Sequence, residues 1–455
     1  MALLVTVQTA WAQRGDIQYF RPYDQRGINV FETSKNDTVV FDGIKVRIGA
    51  NFTQGYQNLK HSNANDTTTQ ALYKMKGGFP LAQANFNIDV QLADGVRLNL
   101  VSYMSSHHHN EFWVKGGYLQ IDKVGFMNSE FLNKLWTNLT LKVGHMEINY
   151  GDAHFRRSDG GNTFWNPYME GNIMDAFTTE IGAELYWQKN GILLMAGATN
   201  GEIQGNVAET SIAGSSDNGS VKGPSIYGKL GFDKPFGEKN RVRITGSFLT
   251  KKSSISGTLY GGDRTGSNYQ FVMEPTTATL TANAFSGRVN PNFKDNVTSF
   301  MINPFIKFSG LELFGTYEIA KGKNAVEGGE IQYNDGVSAT TFDEQDDRKF
   351  TQLAVDLLYR FGAREQFYAG ARYNTVDGEQ VFDQKTNPAA NNGISQGTRK
   401  DISVNRTAFA AGWFITKNVM VKGEYVIQKY QDFPTGNILE DGEFKGFVLQ
   451  GVIAF

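Results

Sequence analysis

Ile44-Lys45-Val46-Arg47-Ile48-Gly49-Ala50-Asn51-Phe52 puts an apolar side chain at every even position and lysine, arginine, glycine or asparagine at every odd one. Successive side chains of an extended chain point to opposite faces, so this stretch has one oily face and one polar face. The same period recurs further on. Ala84, Phe86, Ile88 and Val90 share a face of 82–91, Asp94-Gly95 follows, and a new alternating run covers 96–105. Asp-Gly between two alternating runs is a strong hairpin signal, because both residues tolerate the backbone of a tight primed turn.

Outward from these three segments, the pattern predicts strands at 113–124, 137–149, 180–189, 191–200, 224–233, 240–250, 298–309, 311–321, 349–361, 366–375, 402–415, 418–429 and 443–455, sixteen in all. Short connections, Asp94-Gly95, Asn190-Gly191, Ser309-Gly310, Gly362-Ala363 and Lys417-Asn418, alternate with long polar ones near 57–78, 202–222, 251–297, 322–348 and 376–401. The exception is 125–136, where Phe131, Leu132 and Leu135 have helical spacing and predict a small cap. An even number of strands with alternately short and long connections is the pattern of a transmembrane barrel, with short turns on the periplasmic side and long loops outside. The expected fold is therefore all-β, a 16-stranded antiparallel transmembrane β-barrel over 41–455.

Composition agrees and excludes other classes. The 455 residues contain no cysteine, so disulfides, thiolate nucleophiles and cysteine-held metals are absent. Basic and acidic residues, 44 and 46, nearly cancel, which speaks against a nucleic-acid partner. No run of about eighteen apolar residues occurs, as a membrane-spanning helix would require. The apolar start ending in Ala10-Trp11-Ala12 reads as a secretory signal over 1–12, though without a basic beginning; a first strand or plain arm is the other reading. Residues 13–40 are then expected as a periplasmic N-terminal arm.

At the other end, Phe447, Leu449, Gly451, Ile453 and the terminal Phe455 share one face. A last strand ending in an aromatic residue resembles the assembly signal of outer-membrane proteins; a buried edge strand of a soluble sheet is the alternative. Phe41, Tyr56, Trp187, Phe248, Tyr359, Phe361, Tyr373 and Trp413 lie near strand ends, where interfacial aromatic girdles form.

A barrel of this size holds water, so something must narrow it. The third long loop, about 151–179, differs from the others in mixing aromatics with charge. An inward-folded loop would anchor on Phe155, Phe164, Trp165 and Tyr168 and present Arg156, Arg157, Asp159 and Glu170 to the solute, setting a transverse field. A loop lying over the barrel mouth is the other reading. Strand parity assigns Lys45, Arg47, Arg97, Lys142, Lys229, Arg241, Arg243, Lys307, Arg360, Arg372 and Lys422 to the lumen, facing Asp89, Glu180, Glu184, Asp233, Glu312, Glu318, Asp356 and Glu424. The slight cationic excess, with Arg241 and Arg243 on adjacent inward positions, suggests mild anion preference against a solvated lumen of little selectivity.

Sixteen strands, a loop of this kind after the fifth and a terminal phenylalanine resemble the trimeric general and substrate-specific porins of Gram-negative outer membranes. Val143-Gly-His-Met-Glu-Ile-Asn-Tyr-Gly151 through Asn166-Pro167, with Gly15 to Val30, is similar to the phosphate-selective porin-like family, especially Bacteroidota forms. The resemblance implies passive diffusion of small hydrophilic solutes or anions, a homotrimer, surroundings of outer-membrane lipid and lipopolysaccharide, and no cofactor. A long uninterrupted arginine ladder, expected of a phosphate-selective channel, is missing.

Other constellations weigh less. His107-His108-His109 forms a weak metal candidate through His107 and His109, more simply an exposed polar turn. Asp343-Glu344-Gln345-Asp346-Asp347 lacks the ligand spacing of a calcium loop. No nucleophile elbow, zinc-protease helix, phosphate loop or dinucleotide fingerprint occurs, so catalysis is not expected. Two alternatives stay open: a barrel subunit of an adhesin or secretion assembly that binds a protein partner, and a barrel enzyme in which His145 or His154 meets a serine.

Overall fold

A computed structural model describes residues 16–64, 71–105, 111–158, 163–200, 223–253, 258–261, 270–283, 287–324, 326–328, 332–334, 337–340, 343–383 and 396–455. The strands are β1 (Lys45–Ser62), β2 (Gln83–Ala93), β3 (Val96–Met104), β4 (Trp113–Ile121), β5 (Leu139–Glu147), β6 (Thr179–Lys189), β7 (Ile192–Thr199), β8 (Ser225–Phe236), β9 (Asn240–Ser253), β10 (Asp295–Phe308) and β11 (Leu311–Lys323). After a detached hairpin of β12 (Gln332–Asn334) and β13 (Val337–Thr340) come β14 (Arg348–Phe361), β15 (Phe367–Phe382), β16 (Thr398–Thr416), β17 (Val419–Gln431) and β18 (Glu443–Ala454).

Each strand pairs antiparallel with its chain neighbours, β11 with β14 across the hairpin, and β1 meets β18 from Asn51↔Ala454 to Ser62↔Glu443, so a barrel of sixteen strands closes. Every segment expected to be extended is one of these strands. Several run further than expected. Beyond Phe52 the first strand continues to Ser62, which takes residues from the loop expected at 57–78, because the polar continuation still finds ladder partners on β18. Asn190 and Gly191 both take positive φ in the tight β6–β7 turn, the backbone that Asn-Gly favours. Residues 130–136 form helix α1 (Glu130–Trp136), capped by Ser129 accepting from the Leu132 N–H and tied back by Trp136 Nε1 donating to Ile121 O.

The two faces of the wall are inverted relative to a soluble protein. On β14, Leu353, Val355, Leu357, Tyr359 and Phe361 are exposed, while Gln352, Ala354, Asp356, Leu358 and Arg360 between them are buried. Exposed leucine, isoleucine, valine and phenylalanine recur in this way on β1, β6, β7, β10 and β18. A contiguous outward apolar belt of this extent is accounted for by lipid, since water would leave it unpaid in free energy. At its turn end, Tyr359, Phe361, Phe367 and Trp413 stack in series with centroids 5.5 to 6.1 Å apart.

The inner face is packed as well. Leu193, Met195, Leu249, Met301, Phe350, Val404 and Phe444 form one cluster with Ile148, Tyr150, Met169, Ile173 and Met174 from the β5–β6 connection and with Tyr260, Val272, Met273, Val289 and Phe293 from the β9–β10 connection. Full burial of side chains such as Met169 and Ile173 stabilises by about 1.5–3 kcal/mol each.

Candidate functional site

Besides the β9–β10 connection, two segments meet the inward side chains of the wall. The first is 16–40. Gln18 donates through Nε2 to Asp94 Oδ1 and accepts at Oε1 from the Gly95 N–H; Tyr23 OH donates to Asp89; the Gln25 N–H donates to Lys417 O; Lys35 Nζ donates to the carbonyls of Asp122 and Leu139. These contacts ring the turn end of the barrel. Further along, Asn29 Nδ2 donates to Glu312, the Phe31 ring packs edge-on against Phe155 and Phe305, and Glu32 reaches Arg243 (2.7 Å) and Lys229 (3.2 Å).

The second segment is 148–178. Its Asp152 carboxylate receives Arg243 at 2.7 Å, Lys229 at 3.0 Å and Thr245 Oγ1 at 2.9 Å. Across the barrel, the N–H groups of Met169, Ile173 and Met174 donate to the side chains of Glu424, Asn374 and Gln352. Lys422 Nζ donates to the carbonyls of Thr163, Asn166 and Tyr168. Inward groups of β14, β15 and β17 thus satisfy backbone donors and acceptors that an irregular buried segment would otherwise leave orphaned.

The residues singled out from the sequence fall as follows. Arg156 is buried, donates to Asn29 Oδ1 at 2.6 Å and stands 3.7 Å from Glu312. Arg157 pairs with Asp175 at 2.7 Å and lies over the Phe177 ring. Trp165 carries the Arg21 guanidinium on its face, 3.4 Å from the centroid. Tyr168 lies under Arg372, 4.2 Å away; Arg372 grips Asp356 with both arms and donates to Glu170 O. The Glu170 carboxylate meets Arg406 at 2.9 Å. Arg47 sits 4.7 Å from the Phe20 ring, Arg97 pairs with Asp89 at 2.7 Å, Arg241 and Arg243 share Asp233, and Arg360 takes Glu312 at 2.8 Å. Lys142 has the rings of Tyr118 and Tyr186 on either side. Phe455 exchanges backbone hydrogen bonds with Ala50. Asp159, His107 and His109 lie outside the described residues, as does the stretch 1–12 expected to be a leader.

Arg97, Arg241, Arg243, Arg360 and Arg372 therefore stand in arginine–carboxylate couples. Among groups outside the strands, burial raises the Glu32 pKa but Arg243 and Lys229 outweigh it and hold it at about 2. Glu170 goes the other way: burial pushes it up to about 7 against the pull of Arg406.

Between the two segments and the inner wall of β1 to β5 lies a cavity of about 230 Å³. Arg21, Arg97, Lys115, Lys142 and Arg157 reach it, as do Glu32, Glu147, a bank of asparagines and the rings of Tyr23, Tyr118 and Trp165. Its histidines are bonded to orienting groups, His145 to Thr179 Oγ1 and His154 to Asn149 Oδ1 and, at 3.3 Å, Glu147. None of these partners is the serine that a barrel enzyme built on His145 or His154 would use.

Reading the sequence missed the contribution of 16–40 to these contacts. The signal was present: Tyr19, Phe20, Arg21, Tyr23, Phe31 and Glu32 mix aromatics with charge as densely as 151–179 does.

No protein-family model matches the chain, and no curated protein does. Among solved structures, the outer membrane channel DcaP of Acinetobacter baumannii superposes with a TM-score of 0.51 at 10% identity, covering 91% of this chain and 99% of its own. An anion-selective porin from Comamonas acidovorans gives 0.51 and 10%, covering 90% and 100%. At such identity the likeness is one of fold, and the chain has the closed-barrel fold of outer-membrane porins.

Proposed function

We propose that the chain is a channel of the Gram-negative outer membrane through which small hydrophilic solutes and ions diffuse passively. The observation that carries this reading is the cavity of about 230 Å³, lined by charged and amide side chains as well as aromatic rings, inside an outwardly apolar barrel. The 148–178 segment acts as a constriction, and residues 16–40 narrow the opposite mouth. The hydrogen bonds of both segments to inward side chains of the wall support these roles. Mild anion preference is supported by the cavity's composition, in which five arginines and lysines face two glutamates. A homotrimer in lipid and lipopolysaccharide, with kinship to the phosphate-selective porin-like family, follows the resemblance at Val143–Gly151 and Asn166-Pro167. The pairing of the inward arginines with carboxylates weighs against strong phosphate selectivity.

The density of packing on the inner wall favours one second reading, a barrel filled by its own chain that serves an adhesin or secretion assembly. Single-channel recording in a planar bilayer separates the two. Ohmic steps, in threes for a trimer, with a reversal potential displaced toward that of chloride in a KCl gradient, are the expected result. A closed membrane at all voltages, with a stoichiometric protein partner in purification, would replace the channel by the filled barrel.

A further inference from the structure

We infer that the β4–β5 connection is a foot seated in the periplasmic leaflet of the membrane, its apolar side chains against phospholipid acyl chains; the inference does not depend on whether the barrel conducts. The connection spans 122–138, whereas every other hairpin at this end turns within five residues. It carries four large apolar side chains in the open: Phe126, Met127, Phe131 and Leu135 are 59%, 53%, 73% and 49% exposed. Among the described residues, no hydrogen bond, ion pair or ring contact joins 125–136 to the segments inside the barrel; its bonds run to itself and to Ile121. A cluster of this kind marks a surface that something apolar covers.

The order of side chains around α1 says what covers it. Residues four apart stack along one side of a helix, and successive residues are turned by about 100°. Leu132 and Trp136, both half-buried, lean on the barrel, where Trp136 Nε1 donates to Ile121 O. Next around the axis come Phe131 and Leu135, and after them Glu130 and Lys134, both exposed. Protein, apolar stripe and charge follow in the order met by a helix that lies against a wall at the boundary of hydrocarbon and water.

The strand that follows joins this stripe to the lipid-facing belt. Leu139 pairs with Trp187, Trp187 with Leu194 and Leu194 with Leu230, so these residues stand in one row, and Leu194 and Leu230 are exposed on the outer face. The inner side is already taken at this level. Thr140 and Gln120 donate to the Asp122 carboxylate, and Lys35 donates to the Asp122 and Leu139 carbonyls. The apolar stripe of α1 therefore continues the belt beyond the start of β5. The foot also stands at the joint with the shortest ladder: β4 and β5 pair over five residues, from Gly117↔His145 to Ile121↔Leu141, against eight or more at every other joint of the barrel. Lipid contact at the turn steadies that joint.

The chain contains no cysteine, so Phe131→Cys, Leu135→Cys and Asn133→Cys each give the full chain a single nitroxide label. Asn133 is exposed on the side of α1 away from Phe131 and serves as the reference. In vesicles of phosphatidylethanolamine and phosphatidylglycerol, power saturation of the label's spectrum measures its collisions with oxygen, which concentrates among acyl chains, and with a nickel chelate that stays in water. The ratio of the two is expected to be several-fold higher at 131 and 135 than at 133. Equal ratios would put the stripe in water and overturn the foot. Exclusion of both reagents from 131 and 135 would mean that a protein surface, such as a second copy, covers the stripe, and would overturn it too. Should a labelled variant fail to fold, Met127→Cys takes its place with the same outcomes. Phe131→Ser/Leu135→Ser is further expected to speed amide exchange along Gly117–Ile121 about tenfold in the same vesicles. An unchanged rate would overturn the steadying of the β4–β5 joint.

Discussion

The Glu32 carboxylate lies 2.7 Å from Arg243 Nη2, joining the segment before the first strand to the ninth. Lys229 and Asp152 complete a buried four-charge cluster, with Asp152 at 3.0 Å from Lys229 and 2.7 Å from Arg243. Removing one member of a buried cluster strands its partners, at a cost of about 3–5 kcal/mol. Glu32→Ala is therefore expected to loosen residues 16–40 and raise single-channel conductance. Unchanged conductance in a variant that folds would mean that this segment does not limit the flow.

Glu32 and Glu170 predict opposite responses to pH. With its pKa depressed from 4.5 to about 2, Glu32 contributes stability that is complete above 4.5 and lost only as pH falls through about 2. With its pKa raised to about 7, Glu170 contributes most below 4.5, and that contribution disappears as pH rises to about 7. The thermal midpoint of the wild type should accordingly fall by a few degrees between about pH 5 and 7. Glu170→Gln, which cannot ionise, should lack that slope. Parallel melting curves for the two proteins across this range would refute the assignment.

How far these features were legible depends on which physical rule wrote them. Alternation along a strand is local, so Ile44 to Phe52 declares its two faces without help from the rest of the chain. The tight turns at Asp94-Gly95 and Asn190-Gly191 are equally local, because only certain residues accept their backbone. Strand ends are less legible, since whether a polar stretch such as 53–62 stays extended depends on partners nearly four hundred residues away on β18. Least legible was what lies against the inner wall. The usual expectation of a polar lumen hides inward Leu193, Met195, Val448 and Phe444, which are apolar because other segments cover them. Runs such as Ile192-Leu-Leu-Met195 and Phe447-Val-Leu449, apolar on both faces, are the trace of that cover. Ion pairs such as Arg372–Asp356 were half legible: parity put both residues on the inner face, but only register set them opposite each other.

Arg157 and Asp175, 2.7 Å apart, clamp together two points of the 148–178 segment that lie 18 residues apart. Arg157→Ala leaves a buried carboxylate with a lost partner, so a destabilisation of about 3–5 kcal/mol is expected, felt first in this segment. It also takes one positive charge from the cavity wall. Reversal potentials in a KCl gradient should shift toward cation preference, and conductance should rise as the segment loosens. Arg157→Lys, which keeps the charge but not the forked geometry, is expected to retain the selectivity and lose part of the stability. If Arg157→Ala conducts with unaltered selectivity, the segment does not stand in the path of the ions.

Phe455 separates two roles that a terminal residue can have. Its backbone N–H donates to Ala50 O and its carbonyl accepts from the Ala50 N–H, which helps close the barrel at its last register. Its side chain is exposed on the outer face, so it adds little to packing within the barrel. Phe455→Ser keeps both hydrogen bonds, and folding into lipid vesicles from denaturant should proceed to nearly the wild-type yield. Deleting the residue removes both, about 1 kcal/mol each, and should lower the stability measured in the same vesicles. If the aromatic ring is read during assembly, Phe455→Ser will instead show its defect only in the cell, as loss of folded protein from the outer membrane at undiminished synthesis. Equal defects in vesicles and in cells would make the ring a structural element and remove its role as an assembly signal.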